Sequence, residues 1–295
     1  MSKLTSPGHV SQLLARHQLR LKKKWGQHFL VDENILRKIV LAAELEKEDT
    51  VLEVGPGLGV LTEKLAGQVS KVIALEVDGR LLLVLKETLA GYGNVEIIQA
   101  DALQFDYAEV LPQAPAKLVA NLPYNVATPL LYRLLKANRD CFVLFVCMIQ
   151  KEVAERLCAR PGGKEYGVLS VVAQYAAQTE LLFTVPGTVF FPRPEVSSAV
   201  VRLRLHQQPA YDTGNEPFFY RVVETVFAKR RKTLFNTLHS AFAITKEELA
   251  GIGLALGLDM NRRGETLSVR ELAELSRALY AFQAEAGLNT PGREG

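Results

Sequence analysis

Between Val51 and Ile149, short apolar runs alternate with stretches whose apolar residues recur every three or four positions, and this most narrows what the chain can become. Val51–Val54, Val72–Glu76, Val95–Gln99, Leu118–Ala120 and Phe142–Ile149 read as strands. Leu58–Ala66, Gly79–Ala90, Thr128–Ala137 and Glu152–Ala159 read as helices. Strands that are apolar on both faces, alternating with helices, predict an α/β fold: a mostly parallel sheet covered on both sides. Leu181–Val185 and Ala199–Leu205 read as closing strands around a proline-bearing loop, and Gly167–Ala177 as a helix. Asp32 is placed to cap a helix with Ile35, Leu36, Ile39, Val40 and Ala43 on one face.

Beyond the strands the pattern is only helical. The polar stretch 209–217, with Pro209, Gly214 and Pro217, reads as a linker. Phe219, Val222, Val223, Val226 and Phe227 form one apolar stripe, and Thr245 with Glu248 and Ser268 with Glu271 have capping-box spacing. This predicts a larger domain over 32–208 and a small all-helical domain over 218–295. Ahead of both, residues 1–31 carry Lys3, Arg16, Arg20, Lys22, Lys23 and Lys24 and no acidic side chain. The whole chain has a formal net charge of only +3, so the basic excess is concentrated in this arm. A cationic arm on a nearly neutral body suits a polyanionic partner. Cys141, Cys147 and Cys158 form no C-x-x-C pair and read as reduced, packed thiols, with no metal site. No apolar run approaches the ~20 residues of a membrane span, and the start does not resemble a signal peptide. The expected location is the cytoplasm.

The first strand runs into Gly55-Pro56-Gly57-Leu58-Gly59. Glycines there allow a tight turn and a close approach of a ligand to the backbone. The spacing is G-x-G-x-G, Glu53 precedes it, and Pro56 removes an amide that a pyrophosphate would use. These features favour S-adenosylmethionine over a nicotinamide cofactor. Glu76 closes the second strand, where a carboxylate can accept from both ribose hydroxyls. Asp101 follows the third and can accept from an adenine amino group.

The fourth strand ends in Asn121-Leu122-Pro123-Tyr124. An adenine amino nitrogen is a poor nucleophile because its lone pair is delocalised into the ring. Two acceptors on its hydrogens, the Asn121 side-chain oxygen and the Leu122 carbonyl, would draw it towards a tetrahedral shape, with Pro123 fixing the turn. Tyr124 offers a face for a flipped base. Phe190, in the loop 186–194, is the expected second aromatic plate of the catalytic site, the alternative being a plug for the core.

These motifs resemble the KsgA-type ribosomal RNA adenine dimethyltransferases. The resemblance spans Lys22 to Ser268 and takes in Gly26–Leu30, Glu53–Gly59, Glu76, Gln99–Ala102, Asn121–Tyr124, Gln150–Val153, Phe190–Val201 and Lys229–Lys232. It implies a class I methyltransferase (Rossmann-like) seven-stranded sheet, its last strand antiparallel, with a small helical domain. It also implies two methyl transfers from S-adenosylmethionine, with S-adenosylhomocysteine as product, to each of two adjacent adenosines near the 3′ end of 16S rRNA. The partner would be the small (30S) ribosomal subunit late in its assembly, met by a monomer. Of the residues it brings to the cofactor, His28, Leu30, Gly55, Glu76, Asp101 and Asn121 match, along with Gly57, Gly59 and Ala102 in the same motifs. His28 stands where the family usually carries asparagine, though imidazole also donates a hydrogen bond. Lys229–Lys232 read as a basic helix that either contacts RNA or is simply solvated. Arg230, Arg231 and Lys232, with Lys22, Lys23 and Lys24 of the arm, are the expected contacts. The rival readings are a large-subunit rRNA methyltransferase of the antibiotic-resistance type, a non-catalytic transcription-factor relative, and a DNA adenine methyltransferase.

Overall fold

The computed structural model describes residues 3–19, 28–111, 115–229 and 231–285. The chain divides into two compact units. One takes the chain as far as Glu155 together with Ala177–Gln207, and the other takes Arg156–Ala176 together with the chain from Gln208.

The first unit opens with α1 (Pro7–Arg16), in the stretch expected to be a free arm. Pro7 suits the first helical turn, where a missing N–H costs nothing. Val10, Leu13 and Leu14, spaced for one helix face, are buried. Arg16 and His17 both bond the Glu87 carboxylate, His17 Nε2 at 2.7 Å. The arm reading therefore fails over α1: three apolar residues at helical spacing outweigh sparse positive charge. Lys22, Lys23 and Lys24 lie outside the described residues.

Then come β1 (Phe29–Leu30), α2 (Glu33–Ala42), β2 (Thr50–Val54), α3 (Val60–Ala66), β3 (Lys71–Glu76), α4 (Leu81–Thr88), β4 (Val95–Gln99) and α5 (Tyr107–Val110). β5 (Ala116–Asn121), α6 (Tyr124–Ala137), β6 (Phe142–Gln150) and α7 (Lys151–Leu157) follow. Asp32 caps α2 as expected, accepting from the Asn34 and Ile35 amides at 2.9 Å each. After α8 (Val168–Ala176), the chain returns through β7 (Ala177–Val185), β8 (Phe190–Phe191) and β9 (Ser198–Leu205).

Seven strands form one sheet in the order β4-β3-β2-β5-β6-β9-β7. Neighbours are parallel except around β9, which runs antiparallel to both β6 and β7. This is the expected mostly parallel sheet with an antiparallel last strand. Central residues such as Leu52, Leu118, Phe145 and Val146 are fully buried, so apolar side chains are covered on both faces. Strand order reverses between β2 and β5, and a crevice opens beyond strand carboxyl ends at such a switch point. Apart from the sheet, β1 and β8 pair with each other, Leu30 opposite Phe190 and Phe29 opposite Phe191.

In the second unit, α8 packs against α9 (Glu216–Phe227) and α12 (Val269–Glu285), with α10 (Leu234–Phe242) against α9 and α11 (Lys246–Leu256) against α12. The Tyr175 and Phe219 rings lie 4.5 Å apart and Tyr166 packs edge-on to Phe227, which is why 156–176 joins this unit rather than the sheet. The segment expected as a linker over 209–217 is partly helix. Asn215 caps α9 by accepting from the Phe218 amide at 2.8 Å, and Pro217 sits in its first turn, where proline is tolerated. Both capping boxes form, Thr245–Glu248 and Ser268–Glu271. The expected basic helix does not. Lys229, Arg231 and Lys232 lie between α9 and α10 in a turn closed by the Lys232 amide on the Lys229 carbonyl at 3.0 Å. The run 229–232 has no apolar residue to bury against the helices, and Thr233 starts the next one. Arg230 lies outside the described residues.

Candidate active site

Gly55, Gly57 and Gly59 all hold positive φ angles of 72°, 61° and 87°. A Cβ on Gly55 would stand 2.9 Å from Pro123 Cγ, and one on Gly57 2.9 Å from the Phe29 ring. The loop backbone is thus pressed against the start of α6 and the β1 segment, with no room for a side chain at Gly55 or Gly57. Gly59 does something else: it caps α3 and a Cβ there would meet Leu89 at 3.2 Å. Behind the loop, Glu53 is buried, with Oε2 lacking a hydrogen-bond partner. Burial pushes its carboxyl up to about 8.

Glu76, at the end of β3, is 5% exposed and accepts from the Asp78 amide at 2.8 Å. Burial pushes it up to about 7. Asp78 is itself buried and grips Arg80, whose Nε donates to Oδ1 at 2.9 Å and Nη2 to Oδ2 at 2.6 Å. Asp101, beyond β4, is exposed and held by the Leu103 amide at 2.9 Å. The buried Ala102 offers its carbonyl to the Tyr107 hydroxyl at 2.7 Å and to Arg133 at 3.0 Å, which ties the Asp101 loop to α6.

At the end of β5, Asn121 Nδ2 donates to the His28 carbonyl at 3.2 Å. That bond uses the amide's NH2 side and leaves its oxygen as an acceptor. The Leu122 amide donates to the Met148 carbonyl at 3.0 Å, fixing this peptide on β6. Pro123 turns the chain into α6, its carbonyl accepting from Val126 and Ala127 at 3.1 Å each. Tyr124, the first residue of α6, places its hydroxyl 2.7 Å from Ser198 Oγ and its ring 5.4 Å from that of His28. His28 Nδ1 lies 2.8 Å from the Pro192 carbonyl, and since a carbonyl only accepts, Nδ1 carries the proton.

One cleft gathers most of these groups. His28, Leu30, Gly55, Gly57, Glu76, Asp101, Ala102 and Asn121 through Tyr124 all line it. Phe190 does not: it is 4% exposed and packs into the core opposite Leu30. Of its two sequence readings, the core plug describes its place. Arg231 and Lys232 are exposed in the second unit. Sequence reading passed over Phe29, Asp78 and Ser198. Phe29 and Ser198 sit inside the matched motifs, and Asp78 follows Glu76 by two positions, so only their spatial neighbours were hidden.

A family model described as "Ribosomal RNA adenine dimethylase" matches residues 18–275. The chain belongs to the ribosomal RNA adenine dimethylase family. This dimethylase chain is 45% identical over 295 residues to the ribosomal RNA small subunit methyltransferase A of Listeria innocua, covering 97% of the chain and 100% of the relative. In fold it is similar to a dimethyladenosine transferase from Plasmodium falciparum, with a TM-score of 0.74 at 26% identity, covering 88% of this chain and 98% of that one. A second similar structure is the 23S rRNA methyltransferase ErmE, with a TM-score of 0.66 at 26% identity, covering 85% and 99%. The dimethylase chain is therefore an rRNA adenine methyltransferase with a class I methyltransferase sheet.

Proposed function

We propose that this enzyme methylates N6 of two adjacent adenosines near the 3′ end of 16S rRNA, giving N6,N6-dimethyladenosines on the assembling 30S subunit. The Listeria relative, named for the small subunit and matched end to end, supports this target over the large-subunit and non-catalytic readings. No helix among the described residues is long and apolar enough to cross a membrane, in keeping with work on ribosomal particles in the cytoplasm.

The cleft fits S-adenosylmethionine. Gly55 and Gly57 line it with bare backbone, and Glu76 presents a buried carboxylate at the strand end. Gly55 and Gly57 would let the amino-acid portion approach the backbone, Glu76 would accept from the ribose hydroxyls, and Asp101 from the adenine amino group. Bound there, the cofactor supplies an electrophilic methyl group on a sulfonium. The chain's part is to prepare the nucleophile. In the first transfer Asn121 Oδ1 and the Leu122 carbonyl accept from the two N6 hydrogens and draw the nitrogen out of conjugation; in the second, the one hydrogen left is held by one of these acceptors. Tyr124 receives the flipped base on its ring. Lys22, Lys23, Lys24, Arg230, Arg231 and Lys232 are the proposed phosphate contacts.

The observation that carries this reading is the Asn121 amide, committed through Nδ2 to the His28 carbonyl so that its oxygen remains the acceptor. An interaction made mainly in the transition state affects rate more than affinity. Asn121→Ala is expected to bind undermethylated small subunits normally and to transfer methyl about 10²–10³-fold more slowly. Single-turnover transfer of labelled methyl, with cofactor saturating, measures this. A rate near that of the unaltered enzyme would refute the role given to Asn121.

A further inference from the structure

The backbone of Tyr124 is fixed by the Pro123 turn, but a tyrosine ring still turns about two side-chain bonds. Stacking a base requires the ring and gives the hydroxyl nothing to do. Yet the hydroxyl lies 2.7 Å from Ser198 Oγ. Ser198 is 0% exposed and opens β9, with Gln150 of β6 and Val185 of β7 as its register partners. Its hydroxyl therefore stands on a strand held from both sides, and a fully buried hydroxyl needs a partner. Here the partner is the aromatic residue proposed to stack the target base.

We infer that Ser198 is a positioning residue for methyl transfer: its hydroxyl tethers Tyr124 and sets the angle of the ring beside Asn121. The inference rests on the reading of Tyr124 as the stacking face. A ring free to swing still admits the adenine, but in a spread of orientations, few of which bring N6 to Asn121 Oδ1 and the Leu122 carbonyl. Loss of alignment appears in the transfer step rather than in particle affinity, which RNA contacts elsewhere dominate. One hydrogen bond of this kind corresponds to a rate loss of up to about tenfold. Tyr124→Phe and Ser198→Ala remove the same bond, so their effects should not multiply.

The experiment uses full-length enzyme, S-adenosylmethionine and undermethylated small ribosomal subunits. Single-turnover rates at saturating and sub-saturating subunit are measured for Tyr124→Phe, Ser198→Ala, the double variant and Tyr124→Ala, with cofactor affinity and thermal melting alongside. Both single variants are expected to slow several-fold, up to about tenfold, at saturation with unchanged half-saturating subunit concentration, and the double variant no more than either. A purely structural role would lower the melting temperature and leave the rate of folded enzyme intact, which overturns the inference. Should Ser198→Ala fail to fold, Tyr124→Phe alone decides, and a rate like that of the unaltered enzyme overturns the tether. Multiplying losses would also overturn it, because the hydroxyls would then act separately. Tyr124→Ala separates the two levels. A fast Tyr124→Ala defeats the stacking reading itself, whereas a slow Tyr124→Ala with a fast Tyr124→Phe defeats only the tether.

Discussion

An ordinary glutamate titrates near 4.5, and burial at the end of β3 lifts Glu76 to about 7. Hydroxyls donate to the ionised carboxylate, so cofactor binding favours the deprotonated form. As pH falls through about 7, the free protein takes up a proton that binding must expel. Affinity for S-adenosylmethionine is then expected to weaken by up to about tenfold per pH unit below that point and to level off above it. Glu53, raised to about 8, lines the same cleft, so Glu53→Gln belongs in the same calorimetric series. Glu76→Gln should bind more weakly at neutral pH and lose most of the pH dependence. If its profile matches the unaltered one, Glu76 is not the hydroxyl acceptor. Residue type and strand-end position made Glu76 legible in the sequence. Its proton affinity was not, because desolvation depends on what the fold stacks around it. Phe190 shows the same division: its motif was readable, but only packing decided that the ring faces the core.

Elements with a repeating apolar pattern were legible, and those without one were not. The strands of the large sheet and the longer helices between them were read within a few residues because burial imposes periodicity, whereas the four-residue α5 (Tyr107–Val110) was missed. The two-residue strands β1 and β8 have no period to read, although β1 lines the cleft. The resemblance made 229–232 a basic helix, but with no apolar face to bury, Lys229, Arg231 and Lys232 lie in a turn. The glycine loop lies between these cases: its need for glycine is local, whereas the side chains that enforce it come from Pro123 and Phe29. Gly55→Ala places a residue at φ 72° with its Cβ against the Pro123 ring. The backbone conformation alone costs about 1–2 kcal/mol, a fall of several degrees in melting temperature for a chain this size. Relief of the clash would also shift the Asn121–Tyr124 turn. Calorimetry should show weakened cofactor binding together with the lower melting temperature, and a variant normal in both would remove the glycine loop from the site.

On the scale of the whole molecule, a net charge of +3 is too small to predict RNA binding, so the placement of charge matters more than its sum. Lys229, Arg231 and Lys232 are exposed on the turn after α9. The backbone bond from Leu234 to the Arg262 carbonyl at 2.9 Å brings the start of α10 beside the segment that carries exposed Arg263. Replacing Arg231 and Lys232 with alanine is expected to weaken subunit binding. Each duplex phosphate that is no longer neutralised should lower the log–log salt slope by up to about 0.9. Cofactor affinity should stay unchanged, and an unaltered slope in a binding titration across salt concentrations would move the RNA surface elsewhere. The sequence by itself determined the α/β alternation, the glycine loop and the polar residues at successive strand ends, because local sterics and the period of burial are written residue by residue. Only the tertiary structure decided that α1 is packed rather than free, that Arg156–Ala176 joins the helical unit, and that His28, Asn121, Tyr124 and Ser198 meet. Those outcomes depend on segments far apart in the chain, whose competition for burial and hydrogen bonds no local pattern records.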